Sequence, residues 1–224
     1  ACLVGSEMCI RDRVTRSDNC RVSDLSVSSD NLTFTYEAKS LPYPIDTSYY
    51  DNEKHTQADA LSVIPFMDEM NYEGLSVSGL SDGYYGLTIG GEFIGRFTAR
   101  ELERGINMAL LQNTPQYKQA MKIRQMNEER WLKERKMREF YWVEYNLMRK
   151  TGMLWACNEA AVDTLRKYRP HDIFLQWNGD LWLQYMHKGI REDCVNEQQD
   201  LVNRIYEQNK PIPLRIEIKK FTDL

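Results

Sequence analysis

Apolar and polar residues alternate over residues 21–27 and again over 32–36, with Ser, Asp and Asn breaking the pattern between them. A period of two puts every second side chain on one face, so both runs are read as half-buried β-strands. From Lys39 to Met70 the alternation disappears. Pro42, Pro44 and Pro65 stand there among aromatic and polar residues, and an irregular, well-anchored loop is expected. Alternation returns at 75–77, 85–89 and 92–97, three short runs separated by Ser81-Asp82-Gly83 and Gly90-Gly91. Together they predict a three-strand antiparallel meander. Thr98-Ala-Arg-Glu101 follows with capping-box spacing: the threonine oxygen can accept from the third helical amide while the glutamate reaches back, so a helix should begin at Thr98.

Beyond this point the period changes to that of a helix. No glycine or proline lies between Gln116 and Lys150, and Met121, Leu132, Phe140, Val143 and Leu147 fall near helical spacing. Gly152 ends this long helix, Pro170 separates a second helical piece, and Gly189 precedes a last helix running to about Asn209. Pro211 stops it, and the alternation of 212–218 predicts a closing strand. The fold class that follows is α+β, short antiparallel strands and then a mostly helical C-terminal half. No internal repeat or low-complexity tract is present.

Leu3-Val-Gly-Ser-Glu-Met-Cys-Ile-Arg-Asp-Arg13 resembles a translated transposase-type sequencing adapter, so residues 1–13 are set apart as an artefact. The natural polypeptide is then expected to begin near Val14, in mid-gene. The division expected is 1–13 artefact, 14–110 a β-rich region ending in a capped helix, and 111–224 a helical region with a closing strand. A hydrophobic fraction of 42% with 28% charged residues is that of a globular chain, and the net charge of -4 makes nucleic acid a poor default partner. With Cys2 and Cys9 set aside, Cys20, Cys157 and Cys194 are widely spaced and form neither a disulfide framework nor a zinc pattern. No apolar run approaches the ~20 residues that span a bilayer.

Gly79-Leu80-Ser81-Asp82-Gly83 fits the letters of a nucleophile elbow, which needs a strained turn from a strand directly into a helix. Strands are expected on both sides here, and a hairpin turn using glycine explains the same residues. Gly179-Asp180-Leu181 echoes a Gly-Asp-Ser-Leu signature but lacks its serine. His55, His171 and His187 lie far apart, without an acidic residue three positions before or a ligand companion at helical spacing. No catalytic, metal-ligating or cofactor-binding residue is therefore assigned, and no cofactor is expected. Trp131, Tyr141, Trp142 and Tyr145 interleave with basic residues on the long helix; the favoured reading is aromatic packing against the β-rich half, with stacking on a ligand as the alternative. A second group, Trp155, Phe174, Trp177, Trp182 and Tyr185, is read as helical core or as a carbohydrate platform.

Several of these pieces recur in order elsewhere. Leu75-Ser-Val-Ser-Gly-Leu80, Tyr85-Gly-Leu-Thr-Ile-Gly-Gly-Glu-Phe-Ile-Gly95, Phe97-Thr-Ala-Arg-Glu-Leu102, Gly105-Ile-Asn-Met-Ala109 and Thr114-Pro115 resemble a C-terminal region of bacterial SGNH/GDSL-type esterases, with Leu41-Pro42-Tyr43-Pro44 as an upstream match. Gly90-Gly91 departs from the Asp-Gly usual there, and Arg104 from a small residue. In that family a Gly-Asp-Ser block carries the nucleophile and an Asp-x-x-His pair the base, and neither block occurs in this chain. The resemblance implies the non-catalytic C-terminal portion of an ester hydrolase, an esterase or carbohydrate deacetylase, inactive alone and exported to the periplasm or beyond. Its implied partner is a missing N-terminal catalytic domain of the same chain, with an ester or carbohydrate as substrate. Asn107 is placed on the substrate side, the alternative being an asparagine that ties neighbouring loop backbone. The competing function is an accessory module that binds carbohydrate or protein.

Overall fold

The computed structural model describes residues 5–46, 49, 50 and 55–221. Strands β1 (Gly5–Ile10), β2 (Val14–Asp18), β3 (Cys20–Val27) and β4 (Asn31–Ala38) come first. The proline-containing stretch holds only the short pieces β5 (Tyr49–Tyr50), β6 (His55–Thr56), α1 (Gln57–Ala60) and α2 (Phe66–Glu69). Then come β7 (Tyr72–Val77), β8 (Tyr84–Ile89), β9 (Glu92–Thr98), α3 (Ala99–Arg104) and the two-residue β10 (Ile106–Asn107). The helices α4 (Pro115–Val143), α5 (Glu159–Tyr168), α6 (Ile173–Tyr185) and α7 (Lys188–Gln208) precede the last strand, β11 (Leu214–Lys220). This is an α+β chain with β-rich first and helical second halves. It divides into two compact units, Ala1–Arg124 with Gln208–Leu224, and Gln125–Glu207.

The first unit contains two larger sheets, ordered β10-β7-β1-β2 and β3-β4-β11-β8-β9. The alternation of Leu32, Phe34 and Tyr36 on β4, and of Leu214, Ile216 and Ile218 on β11, buries one face of the five-stranded sheet in a common core with Met8, Ile10, Leu75 and Leu102. The three runs expected to form a meander all become strands, but only β8 and β9 pair with each other. β7 is buried along most of its length and pairs in parallel with β1 and antiparallel with β10. A strand covered on both faces has to satisfy its backbone groups at both edges, and β8 cannot serve both purposes. The free edge of β8 is taken by β11. β1 lies within the stretch that the sequence assigns to an adapter; its Met8 and Ile10 are fully buried.

Local chemistry accounts for the turns. Gly90 and Gly91 both have positive φ, +60° and +85°, as a two-residue turn between antiparallel strands requires when its twist matches theirs. Thr98 caps α3: its Oγ1 accepts from the Glu101 amide at 3.2 Å, and its own amide donates to the Glu101 carboxylate at 2.7 Å. Pro115 opens α4, where its missing N–H would have had no helical partner.

The second unit is helical, with Trp182, Phe140, Val143, Met148, Leu165 and Leu175 at its centre. The buried residues of the long helix here, Met137, Phe140 and Val143, belong to this helical cluster. Residues 144–148 widen into a π-helical turn. Glu144, 1% exposed, accepts from Trp182 Nε1 and from the Trp155 amide, both at 2.8 Å. The second bond holds Trp155 at φ +62°, a conformation unusual for a side chain of that size. Among the described residues no helix is long and apolar enough to cross a membrane.

Removing the Glu144 carboxylate leaves the buried Trp182 N–H and the partly buried Trp155 amide unpaired, so Glu144→Ala should destabilise the helical unit by about 2–4 kcal/mol in urea unfolding. Glu144→Gln should cost less but still more than about 1 kcal/mol, because its amide N–H₂ would face one of the two donors. A Glu144→Ala protein with the wild-type midpoint would show that the carboxylate does not anchor the turn.

Candidate functional site

The residues singled out in the sequence do not converge. Ser81 sits in the exposed connection between β7 and β8, flanked by strands; its Oγ accepts from Lys220 Nζ at 2.7 Å and lies 3.1 Å from the Tyr85 hydroxyl. His171 belongs to an exposed single turn after α5, and His187, between α6 and α7, places Nδ1 3.3 Å from the exposed Cys157 thiol. The side chain of His55 and the whole of Cys2 lie outside the described residues. Among the described residues no serine is hydrogen-bonded to a histidine, and no three potential metal ligands group together. Gly179-Asp180 has a structural explanation. Gly179 lets the Arg169 guanidinium lie 3.1 Å from where a Cβ would be, and Asp180 grips that guanidinium with both oxygens, at 2.6 and 2.7 Å.

Asn107 occupies all four of its amide positions on the chain itself. Oδ1 accepts from the Glu73 and Ala109 amides at 2.9 and 3.0 Å, and Nδ2 donates to the carbonyls of Met67 and Asn71 at 2.9 and 3.1 Å. It clamps β7 to the loop around α2. Asn71 in turn exchanges two hydrogen bonds with the backbone of Tyr43, fixing the segment of Pro42 and Pro44. Tyr117, from α4, donates to the Ile45 carbonyl at 2.8 Å, and a buried Arg124–Asp46 ion pair completes the attachment. Apart from the local Asn107–Ala109 bond, these contacts join residues distant in the chain, and no sequence motif announced them.

Beside this loop is a buried polar group that sequence reasoning missed. Glu73 accepts from the Tyr36 hydroxyl at 2.9 Å and from Gln116 Nε2 at 3.2 and 3.3 Å, with Ser6 on the far side of Tyr36 at 2.5 Å. Ser6, Glu73, Asn71 and the turn Ser40-Leu41-Pro42 enclose a space that holds about one water. Complete burial pushes the Glu73 carboxyl up to about 7, against an ordinary 4.5, and burial beside that carboxyl raises the Tyr36 phenol as well. Gln116 Oε1 is buried without a partner.

The second unit carries the larger surface feature. Trp131, Arg135, Arg138 and Trp142 occupy one stripe of α4 at spacings of four, three and four residues, and with Glu139 and Asn178 they line an open groove of about 370 Å³. Trp142 packs on Phe174 at 5.3 Å between ring centres, and Phe174 edge-on to Trp177 at 5.6 Å. Trp131 is 47% exposed and Trp177 67%. The aromatic group read from the sequence thus divides. Trp182 and Tyr185 are core, Trp155 sits with Phe140, Tyr141 and Tyr145, and Phe174 and Trp177 support the groove.

With this geometry in place, the comparisons define what the chain is similar to. Residues 121–210, close to the limits of the helical unit, match the family model of the diltiazem deacetylase C-terminal helical domain. A solved structure described as a gut microbial diltiazem-metabolizing enzyme superposes on 98% of this chain with a TM-score of 0.90 and 34% sequence identity. The chain spans 51% of the length of that protein. No curated protein matches. The resemblance to SGNH/GDSL-type esterases is corrected by these findings, since neither match supports that assignment. Several residues that carried it have local structural reasons of their own: Thr98 caps α3, Asn107 ties β7 to a loop and Pro115 opens α4.

Two outcomes follow. Between pH 4.5 and 7 the folded chain keeps a proton on Glu73 that the unfolded chain has lost, so stability should fall as pH rises through this window, by at most about 1.4 kcal/mol per unit. Urea midpoints at pH 5 and 7.5 should show the decline in the wild type and its loss in Glu73→Gln. Carboxylates with lowered values, such as Asp180 and Glu197, act the other way and at lower pH. In peptide mapping after brief iodoacetamide treatment, exposed Cys157 should be alkylated well before buried Cys20 and Cys194. Equal labelling would contradict the burial of the latter two.

Proposed function

We propose that this chain is the accessory, non-catalytic C-terminal portion of a deacetylase- or esterase-like enzyme whose bond-cleaving residues reside in a separate catalytic half. The observation that carries this reading is that the likeness to the diltiazem-metabolizing enzyme runs over 98% of this chain but only 51% of that one, with the helical part matching a C-terminal domain. Ester cleavage needs a nucleophile within reach of a base, and donors aimed at the developing oxyanion. The Ser81 hydroxyl receives a hydrogen bond from the Lys220 ammonium, which supplies a proton rather than removing one. Cys157 and His187 meet in the open, without walls to hold an acyl group. What the chain does offer is a rigid two-sheet support, with a loop pinned by Asn71, Asn107 and Tyr117, and a helical unit with an aromatic groove.

The purified 224-residue chain should hydrolyse neither 4-nitrophenyl acetate nor the acetyl ester of diltiazem with saturable kinetics. Saturable turnover lost in Ser81→Ala or in Cys157→Ala would place a catalytic site in this chain and overturn the accessory reading.

A further inference from the structure

We propose that the groove formed by Trp131, Arg135, Arg138, Glu139 and Trp142 of α4 with Asn178 of α6 binds a neutral oligosaccharide. Such binding goes beyond the accessory role and rests on the groove alone. Trp131 and Trp142 are eleven residues apart on one face of a helix, about 16 Å at 1.5 Å per residue, which suits an extended chain of rings better than a single small molecule. Trp142 is backed by Phe174, and Phe174 by Trp177, so the platform is held in place before any ligand arrives. Trp131, 47% exposed, continues the half-buried Trp142 into one apolar strip on the surface, the kind of patch that marks a binding site.

The polar rim narrows the ligand class. Arg135 donates from Nε to Glu139 at 2.7 Å, and Arg138 forms an ion pair with Glu134 at 2.8 Å while its guanidinium lies 5.7 Å from the Trp131 ring centre. Their terminal nitrogens have no hydrogen-bond partner among the described residues, and neither has the Asn178 amide. The rim therefore presents fixed donors and acceptors while its two cations are balanced by two carboxylates. A nucleic acid or sulfated polymer needs a cationic excess, which is absent. A protein partner needs about 1,000 Å² of complementary surface around a dry centre, and this groove is small and polar-edged. A pyranose has the matching surface: the C–H face of its ring is apolar and lies flat on an indole, while hydroxyls around its edge both donate and accept.

The experiment is calorimetric titration of the whole chain with xylohexaose, cellohexaose and mannohexaose, with a heparin hexasaccharide as the charged control. At least one neutral hexasaccharide should bind with a sub-millimolar Kd. Trp131→Ala, at an exposed site where folding is safe, should weaken that binding about tenfold or more, equivalent to about 1.4 kcal/mol. Trp142→Ala should do the same with an unchanged circular dichroism spectrum, and Tyr206→Ala, exposed elsewhere on the unit, should leave affinity unaltered. The proposal is overturned if no neutral hexasaccharide binds, if binding survives Trp131→Ala, or if heparin is the preferred ligand. Because the readout is binding, these outcomes mean the same whether or not the chain cleaves esters.

Discussion

The architecture depends on β11 returning to the middle of the five-stranded sheet. Ile216 pairs with Phe34 on one side and Ile89 on the other, and Ile216 and Ile218 are fully buried. Without β11 the inner edges of β4 and β8 would present unpaired backbone groups inside a core, which is the most expensive way to leave them. One consequence is topological: the helical unit, residues 125–207, is an insertion between two segments that both belong to the sheet unit. Gln119 Nε2 marks the closure by donating to the carbonyls of Gln208 and Lys210, each at 2.8 Å. Such an insertion is cheap, since loop-closure entropy grows only logarithmically with length.

Each unit then solves the same problem of a buried carboxyl in its own way. Glu144 has two N–H donors in one bay and uses them to hold the π-helical turn and the left-handed Trp155. Glu73 has a phenol and a side-chain amide, and burial raises it to about 7. Neither is placed against a nucleophile. Glu144 fixes irregular backbone that regular hydrogen bonding does not reach, whereas Glu73 ties the side chain of Tyr36 on β4 to that of Gln116 on α4.

The same distinction between spent and open hydrogen-bonding groups separates the loop around Asn107 from the α4–α6 groove. Around Asn71, Asn107 and Glu73 the hydrogen-bonding capacity is largely spent internally, and the space left holds about one water. The α4–α6 groove is the reverse case, with aromatic faces, guanidinium nitrogens and an amide still open to solvent. Recognition chemistry is available in the helical unit, and structural chemistry in the sheet unit.

What the sequence by itself determined was local. Alternation in β4, β8 and β11, the glycine pair of the β8–β9 turn, the Thr98 cap and the uninterrupted long helix were all readable, because each depends on side chains within a few residues of one another. Asn107 was noticed, though its four partners were not. Only the tertiary structure decided that β7 leaves β8 for β1 and β10, that β11 fills the gap some 130 residues later, and that Trp182 is core while Trp177 is surface. Periodicity reports which face of an element is apolar, but not which other element covers it. That choice is made by long-range packing and backbone pairing, for which a single sequence carries no local signal.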